Sequence, residues 1–153
     1  MKKVKKNTER TAPYYFLVSV RYSNFEQLKN NDFKVIGFPE HSKMIESVLP
    51  GDKFIIYIGS GKSVIAGIVE ATSECYWDTE LLWDDIYPKR VKMKKYIILP
   101  ESKYVSMKEI KNGLSFINPD VKKFGVYLMQ GIRKLSDSDY KYILEKVENS
   151  NGN

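Results

Sequence analysis

Residues 53–72 read KFIIYIGSGKSVIAGIVEAT. Lys53 to Ile58 is an aromatic and β-branched run, Gly59-Ser60-Gly61-Lys62 is a turn, and Ser63 to Thr72 is a second β-branched run. Two such runs across a short glycine turn predict a β-hairpin. The same letters contain GSGKS, the tail of a phosphate-binding loop. That motif needs a glycine five positions before Gly61, where Ile56 stands. Its lysine also opens a helix whose N-terminus holds the phosphate. Here a strand begins at Ser63, so the stretch reads as a hairpin and not as a nucleotide site.

Working outward, Tyr14 to Val20 (YYFLVSV) is another short apolar strand. Ser23 and Glu26 have the spacing of a capping box, which predicts a short helix ending near Asn30–Asn31. Phe33 to Phe38 reads as extended. Pro39 predicts the first turn of a helix through Leu49, with His41, Met44, Ile45 and Val48 on one face. Pro50-Gly51-Asp52 is a turn. Residues 73–86 have no period and read as an irregular loop. Tyr87 to Leu99 is a long strand closed by Pro100. Ser106 and Glu109 form a second capping box, with Gly113 ending that helix. Asn118-Pro119 starts a further helical or turn segment. Gly131 to Leu135 is a brief strand. Ser136 and Asp139 cap a last helix through about Val147, leaving residues 149–153 as a frayed tail. Strands and short helices alternate without regular βαβ units. That predicts an α+β fold around a small curled sheet, not a doubly wound parallel sheet.

The 153 residues suffice for one domain, placed at 13–148. A chain of this length buries roughly 70% of its unfolded surface and needs no disulfides. One cysteine, Cys75, excludes a disulfide framework within the chain and zinc sites of several thiolates. One histidine, His41, excludes three-histidine zinc chemistry within the chain. No cofactor or metal is expected. No apolar run is long enough to span a membrane, and the basic N-terminus lacks a signal-peptide core. A reduced, cytoplasmic protein fits this reading. The net charge is +6, but residues 1–12 supply a surplus of four from Lys2, Lys3, Lys5, Lys6 and Arg10 against Glu9. That stretch reads as a flexible basic arm.

No catalytic constellation emerges. Cys75 and His41 have no nucleophile–base spacing. The acidic residues Glu74, Asp78, Glu80, Asp84 and Asp85 lack calcium-loop spacing and read as a solvated loop. The stronger pattern combines aromatic and basic residues. Tyr22, Phe38, Tyr76, Trp77 and Trp83 lie in expected loops or beside turns, where a large ring has less packing reason to exist. Aromatic walls suit stacking on a nucleobase. Arg90, Lys92 and Lys94 alternate on one strand face, with Val91 and Met93 on the other. A basic edge beside aromatic loops suits a phosphate backbone running past a base pocket. A solvated strand face with packed aromatics accounts for the same pattern, and the residues alone leave both readings open.

Several stretches, taken in order, resemble the EVE domain. They are Gly37-Phe38-Pro39-Glu40-His41, Pro50-Gly51-Asp52-Lys53, Ala66-Gly67-Ile68-Val69-Glu70, Tyr76-Trp77-Asp78, Tyr87-Pro88-Lys89-Arg90-Val91 and Ser136 to Tyr140. The resemblance covers residues 13–147 and is nearest to compact stand-alone members of archaea and some bacteria. Members often carry tryptophan where this chain has Tyr15 and Phe38. The resemblance implies a PUA-like fold: a strongly bent β-barrel decorated by short helices, related to YTH domains. It also implies a non-enzymatic reader of modified bases in DNA or RNA, such as 5-methylcytosine, 5-hydroxymethylcytosine or N6-methyladenine. Phe38, Tyr76, Trp77 and Trp83 are then expected pocket walls, His41 and Asp78 hydrogen-bonding partners of the base edge, and Arg90, Lys92 and Lys94 phosphate contacts. Two rival readings are a small enzyme on a modified nucleoside or nucleotide, using the 78–85 carboxylates, and a protein-interaction subunit. Oligomeric state does not follow from the residues.

Overall fold

The computed structural model describes residues 10, 13–59, 61–83, 85–118 and 131–152. In chain order the strands are β1 (Tyr15–Val20), β2 (Val35–Phe38), β3 (Lys53–Ile58), β4 (Val64–Ala71), β5 (Tyr76–Trp77), β6 (Lys89–Ile98), β7 (Val105–Ser106) and β8 (Ile132–Leu135). The α-helices are α1 (Tyr22–Asn30), α2 (Met107–Ile110) and α3 (Asp137–Asn151). The strands form one sheet in the order β2-β6-β4-β3-β1-β8, with β5 added on β6 and β7 on β4. β1 and β3 run parallel, and the other pairings are antiparallel.

The apolar runs explain why β1 and β3 lie inside the sheet rather than at its edges. A strand buried on both faces reads as a continuous hydrophobic run rather than an alternation. Phe16 and Val18 of β1, with Phe54, Ile56 and Ile58 of β3, pack on one face against Phe25 and Leu28 of α1. Leu17, Ile55 and Tyr57 pack on the other face against Met107 and Ile110 of α2 and Tyr140, Ile143 and Val147 of α3. Register shifts in the β3–β4 and β4–β6 pairings bend the sheet between the two cores. The result is the expected α+β architecture.

The hairpin of residues 53–72 is present, with Tyr57 opposite Ile65 and Ile58 opposite Val64. The Lys62 amide donates to the Gly59 carbonyl at 3.1 Å. Gly61 has φ +85°, a left-handed turn conformation that disfavours a side chain. No helix follows Lys62, and its ammonium lies 4.5 Å from the Tyr22 ring centroid.

Several local expectations need correction. The helix expected over Pro39–Leu49 is only a 3-10 turn at Met44–Ser47. Its backbone groups are drawn into tertiary contacts: Lys89 Nζ donates to the Ser42 carbonyl, Arg10 Nη2 to the Ser47 carbonyl, and the Leu49 amide to Asp52. An uninterrupted i to i+4 ladder cannot form over those residues. α1 starts at Tyr22 rather than after Ser23, and its N-cap Arg21 makes no side-chain cap bond. Glu26 instead accepts from the Tyr22 hydroxyl, so the capping box is absent. Ser106 is the N-cap of α2 but does not bond its amides, and α2 passes into a 3-10 turn at Lys111–Gly113. Phe33 to Phe38 is extended only from Val35, because Asp32 and Phe33 have φ +58° and +57°.

At the C-terminal end, Ser136 does cap α3, accepting from the Asp139 amide. The helix runs to Asn151, past the expected end at Val147 and through residues expected to fray. Ser150 Oγ donates to the Lys103 carbonyl and ties the last turn down. The segment expected from Pro119 lies outside the described residues. So does the basic arm, apart from Arg10. Arg10 is not a free surface charge: it is buried against Asp52 and stacked on the Tyr14 ring at 3.7 Å.

Candidate functional site

The site grows from the start of β6. Lys89 and Arg90 are each only 4% exposed. A buried cation needs partners, and each has them. Arg90 donates to the carbonyls of Tyr87, Ile86 and Glu80, and pairs with Asp78 through Nη1 at 3.2 Å. Its fork of donors suits this arrangement. Asp78 also accepts from the Glu80 amide at 2.9 Å. The loop from Asp78 to Tyr87 is thus held from beneath at both ends.

That loop crosses β2 at Gly37. A Cβ built on Gly37 would lie 2.6 Å from Leu82 Cδ2 and 2.7 Å from Tyr87 Cβ, so only glycine permits the crossing. The crossing brings Trp83 and Tyr87 beside Phe38. Trp83 and Tyr87 pack with ring centroids 5.2 Å apart and planes tilted by 57°. Phe38, Pro39, Trp83 and Tyr87 line a cavity of about 290 Å³ together with Arg21 and Asn24 at the start of α1. That size is close to the lower limit for small-molecule pockets, ~300 Å³. The Trp83 indole N–H is buried without a hydrogen-bond partner. The side chains of Arg21 and Asn24 make no hydrogen bond or ion pair among the described residues.

Lys89 holds the neighbouring loop in the same manner. Its Nζ donates to the Ser42 carbonyl at 2.6 Å and pairs with Glu46 at 3.0 Å. A second cavity, of about 440 Å³, is lined by His41, Ser42, Lys43 and Met44 and shares Phe38, Pro39 and Gly131 with the first.

The structure therefore sorts the expected residues. Phe38 lines both cavities, although its ring is 5% exposed and packs mostly into the core. Trp83 lines the first and His41 the second. Tyr76 and Trp77 line neither: they form β5, paired to Arg90 and Lys89. Lys92 Nζ approaches the Tyr76 ring at 5.8 Å. Asp78 is engaged with Arg90 and the Glu80 amide, so its place is in holding the loop. Arg90 does not stand on the exposed strand face with Lys92 and Lys94, because the strand begins underneath the loop. Lys92 and Lys94 are exposed, and Lys94 is paired with Glu70 at 3.3 Å. Sequence reasoning missed Arg21, Asn24, Lys43 and Tyr87. The only available signal was that Arg21 to Asn24 follow a buried strand directly, where a helix start projects side chains from the sheet edge.

The remaining chemistry is sparse. Cys75 is buried, and burial pushes its thiol up to about 11. A thiol held protonated in this way is a poor nucleophile. Among the described residues, no three histidine, cysteine or carboxylate side chains cluster to hold a metal ion. No helix among them is long and apolar enough to cross a membrane.

Comparison with known proteins places this geometry in a family. The EVE domain model matches residues 13–146. The UPF0310 protein PH1033 of Pyrococcus horikoshii is 31% identical over 149 residues, covering 87% of this chain and 97% of that protein. Human THYN1, solved in complex with 5-methylcytosine-containing DNA, superposes with a TM-score of 0.58 at 14% identity, over 88% of this chain and 98% of that one. The YTH domain of Zygosaccharomyces rouxii MRB1, solved with N6-methyladenosine RNA, superposes with a TM-score of 0.57 at 16% identity, over 89% and 87%. The fold is accordingly PUA-like and shared with YTH domains, and the chain belongs to the EVE domain family.

Proposed function

We propose that this protein is a non-enzymatic nucleic-acid-binding module that receives one modified base in the cavity between Phe38, Trp83 and Tyr87. The observation that carries the reading is that cavity. It has aromatic walls and an unengaged amide in Asn24. Aromatic faces give stacking of about 1–3 kcal/mol per base. Asn24 offers both donor and acceptor to a base edge. The two solved neighbours with modified-base DNA and RNA support the same ligand class on the same fold.

Energetics limit how such a module discriminates. One buried methyl contributes about 0.8 kcal/mol, a few-fold in affinity. Stronger selection comes from leaving a polar group of the unmodified base dry and unpaired. Taking a base from a duplex costs a few kcal/mol, and least from a single strand. Phosphate contacts then supply the net affinity, from exposed cations such as Arg21 at the cavity and Lys92 on β6, with Lys94 partly neutralised by Glu70.

The test is a titration of single-stranded oligonucleotides that differ only in one base: 5-methylcytosine, 5-hydroxymethylcytosine, N6-methyladenine or the unmodified form. One modified strand should bind more tightly than its unmodified partner, and Trp83→Ala should remove the difference. Equal binding of every strand would overturn the reading.

A further inference from the structure

The second cavity has no part in holding the recognised base. It shares the Phe38–Pro39 wall and Gly131 with the base cavity but opens beside different side chains. His41 and Lys43 are exposed, and their side chains make no hydrogen bond or ion pair among the described residues. Met44 adds an apolar surface, 40% exposed. The segment carrying them is fixed: buried Lys89 holds the Ser42 carbonyl, and Glu46 completes the pair. A surface loop with no task has little reason to recruit a buried lysine from a neighbouring strand, because burying that charge is costly unless it is paired.

We infer that this second cavity is a subsite for the nucleotide adjacent to the recognised base, with Lys43 facing its phosphate and His41 and Met44 its sugar or base. The inference rests on the proposed function. Two cavities with a common wall match two consecutive nucleotides of one opened strand, joined by a phosphate that crosses the wall. A free lysine suits that phosphate as a point charge. A methionine surface suits an apolar base face because its side chain adapts to irregular shapes. The imidazole offers a donor and an acceptor to sugar or base edges. A larger single ligand filling both cavities is the competing occupant, and it makes different predictions.

The experiment compares the free nucleosides 5-methyldeoxycytidine and N6-methyldeoxyadenosine with dinucleotides carrying the same base and one neighbour, on the 5′ or the 3′ side. Binding is followed by chemical-shift perturbation, with the native protein, Lys43→Ala and His41→Ala. Both positions are exposed, so both variants should fold as the native protein does.

The expected result is that one dinucleotide series binds more tightly than its nucleoside and shifts residues 41–44. Lys43→Ala should then cost roughly tenfold in that series, as for one charge-assisted contact. It should lower the log–log salt slope by about 0.7 and leave nucleoside affinity unchanged. If neither dinucleotide series gains over its nucleoside, the inference fails while base recognition stands. If the variants weaken the nucleoside equally, the two cavities form one pocket and the inference also fails. If neither nucleosides nor dinucleotides bind, the proposed function fails and takes this inference with it.

Discussion

Lys89 and Arg90 are consecutive residues of β6, both 4% exposed, and each holds a different loop from beneath. Successive side chains of a strand leave on opposite faces. One strand position therefore splits two buried cations between two loops. Lys89 fixes the segment around Ser42, which lines the second cavity, and Arg90 fixes Asp78–Tyr87, which walls the first. Arg90, whose place in the sequence suggests a phosphate contact, is an internal strut in the fold.

That arrangement predicts the behaviour of Arg90 variants. Arg90→Ala leaves three carbonyls and the Asp78 carboxylate without their cation. The cost should be about 3 kcal/mol. For a chain of this size the melting temperature should fall by roughly 10 °C. Arg90→Lys should restore little, since one ammonium cannot reproduce the fork. Calorimetry on the three proteins decides. A Lys variant as stable as the native protein would show that charge alone suffices and that the fork geometry is irrelevant.

Gly37 gives a more local handle. Gly37→Ala places a methyl within 2.6 Å of Leu82 and 2.7 Å of Tyr87. Overpacking of this kind costs typically 1–3 kcal/mol. The loop, rather than the sheet, is the part able to move. The variant should keep β2–β6 pairing but shift the resonances of Leu82, Trp83 and Tyr87. Oligonucleotide affinity should fall more than global stability does. Unchanged Trp83 resonances would mean that the loop does not bear on Gly37 in solution.

How much of this was legible in the residues follows from what is local. The strands and the hairpin could be read because β-branched runs and a glycine turn are short-range signals. The Ser136–Asp139 cap is legible for the same reason. The 39–49 stretch has helical spacing but no helix, because Lys89 and Arg10, which take its carbonyls, come from distant sequence. Alternation puts Arg90 on one strand face with Lys92 and Lys94, but does not say where a loop covers that face. Trp83 and Phe38, singled out by loop setting and the family motif, line the first cavity. Tyr76 and Trp77 looked similar and line neither cavity, since aromatic character does not reveal which way a two-residue strand presents its rings.

Cys75 predicts a pH dependence at the alkaline end. Burial raises its thiol from 9.0 to about 11. Between those values the unfolded chain releases the thiol proton while the folded chain retains it. The unfolded state then binds fewer protons, so stability falls as pH rises through that window. The shift corresponds to about 2–3 kcal/mol, lost once the pH exceeds both values. Urea unfolding at intervals from pH 8 to 11 should show a steeper decline for the native protein than for Cys75→Ala. Parallel declines would mean that the thiol is not desolvated. At pH 8 the folded protein should also resist alkylation by iodoacetamide until urea unfolds it.

The two tryptophans separate binding from structure. Trp83 lines the base cavity, and its indole N–H is buried without a hydrogen-bond partner. An unsatisfied buried donor costs about 1–3 kcal/mol. Trp83→Phe removes that donor but keeps a ring, so the loss of packing and the relief of desolvation oppose each other. Its melting temperature should stay within a few degrees of the native value. Binding should change more: the Phe variant offers the base a smaller stacking face, so the ratio between modified and unmodified strands shrinks. Trp77 lies on β5 outside both cavities, so Trp77→Phe should leave the ratio intact. Lys92→Ala should weaken modified and unmodified strands by the same factor and flatten the salt dependence by up to about 0.7 in log–log slope, because phosphate contacts carry affinity without identity. Titrations of the three variants at two salt concentrations, each with a melting curve, measure all of this. Should Trp83→Phe retain full discrimination while Trp77→Phe loses it, the base would be held on the β5 side and not in the Phe38–Trp83–Tyr87 cavity.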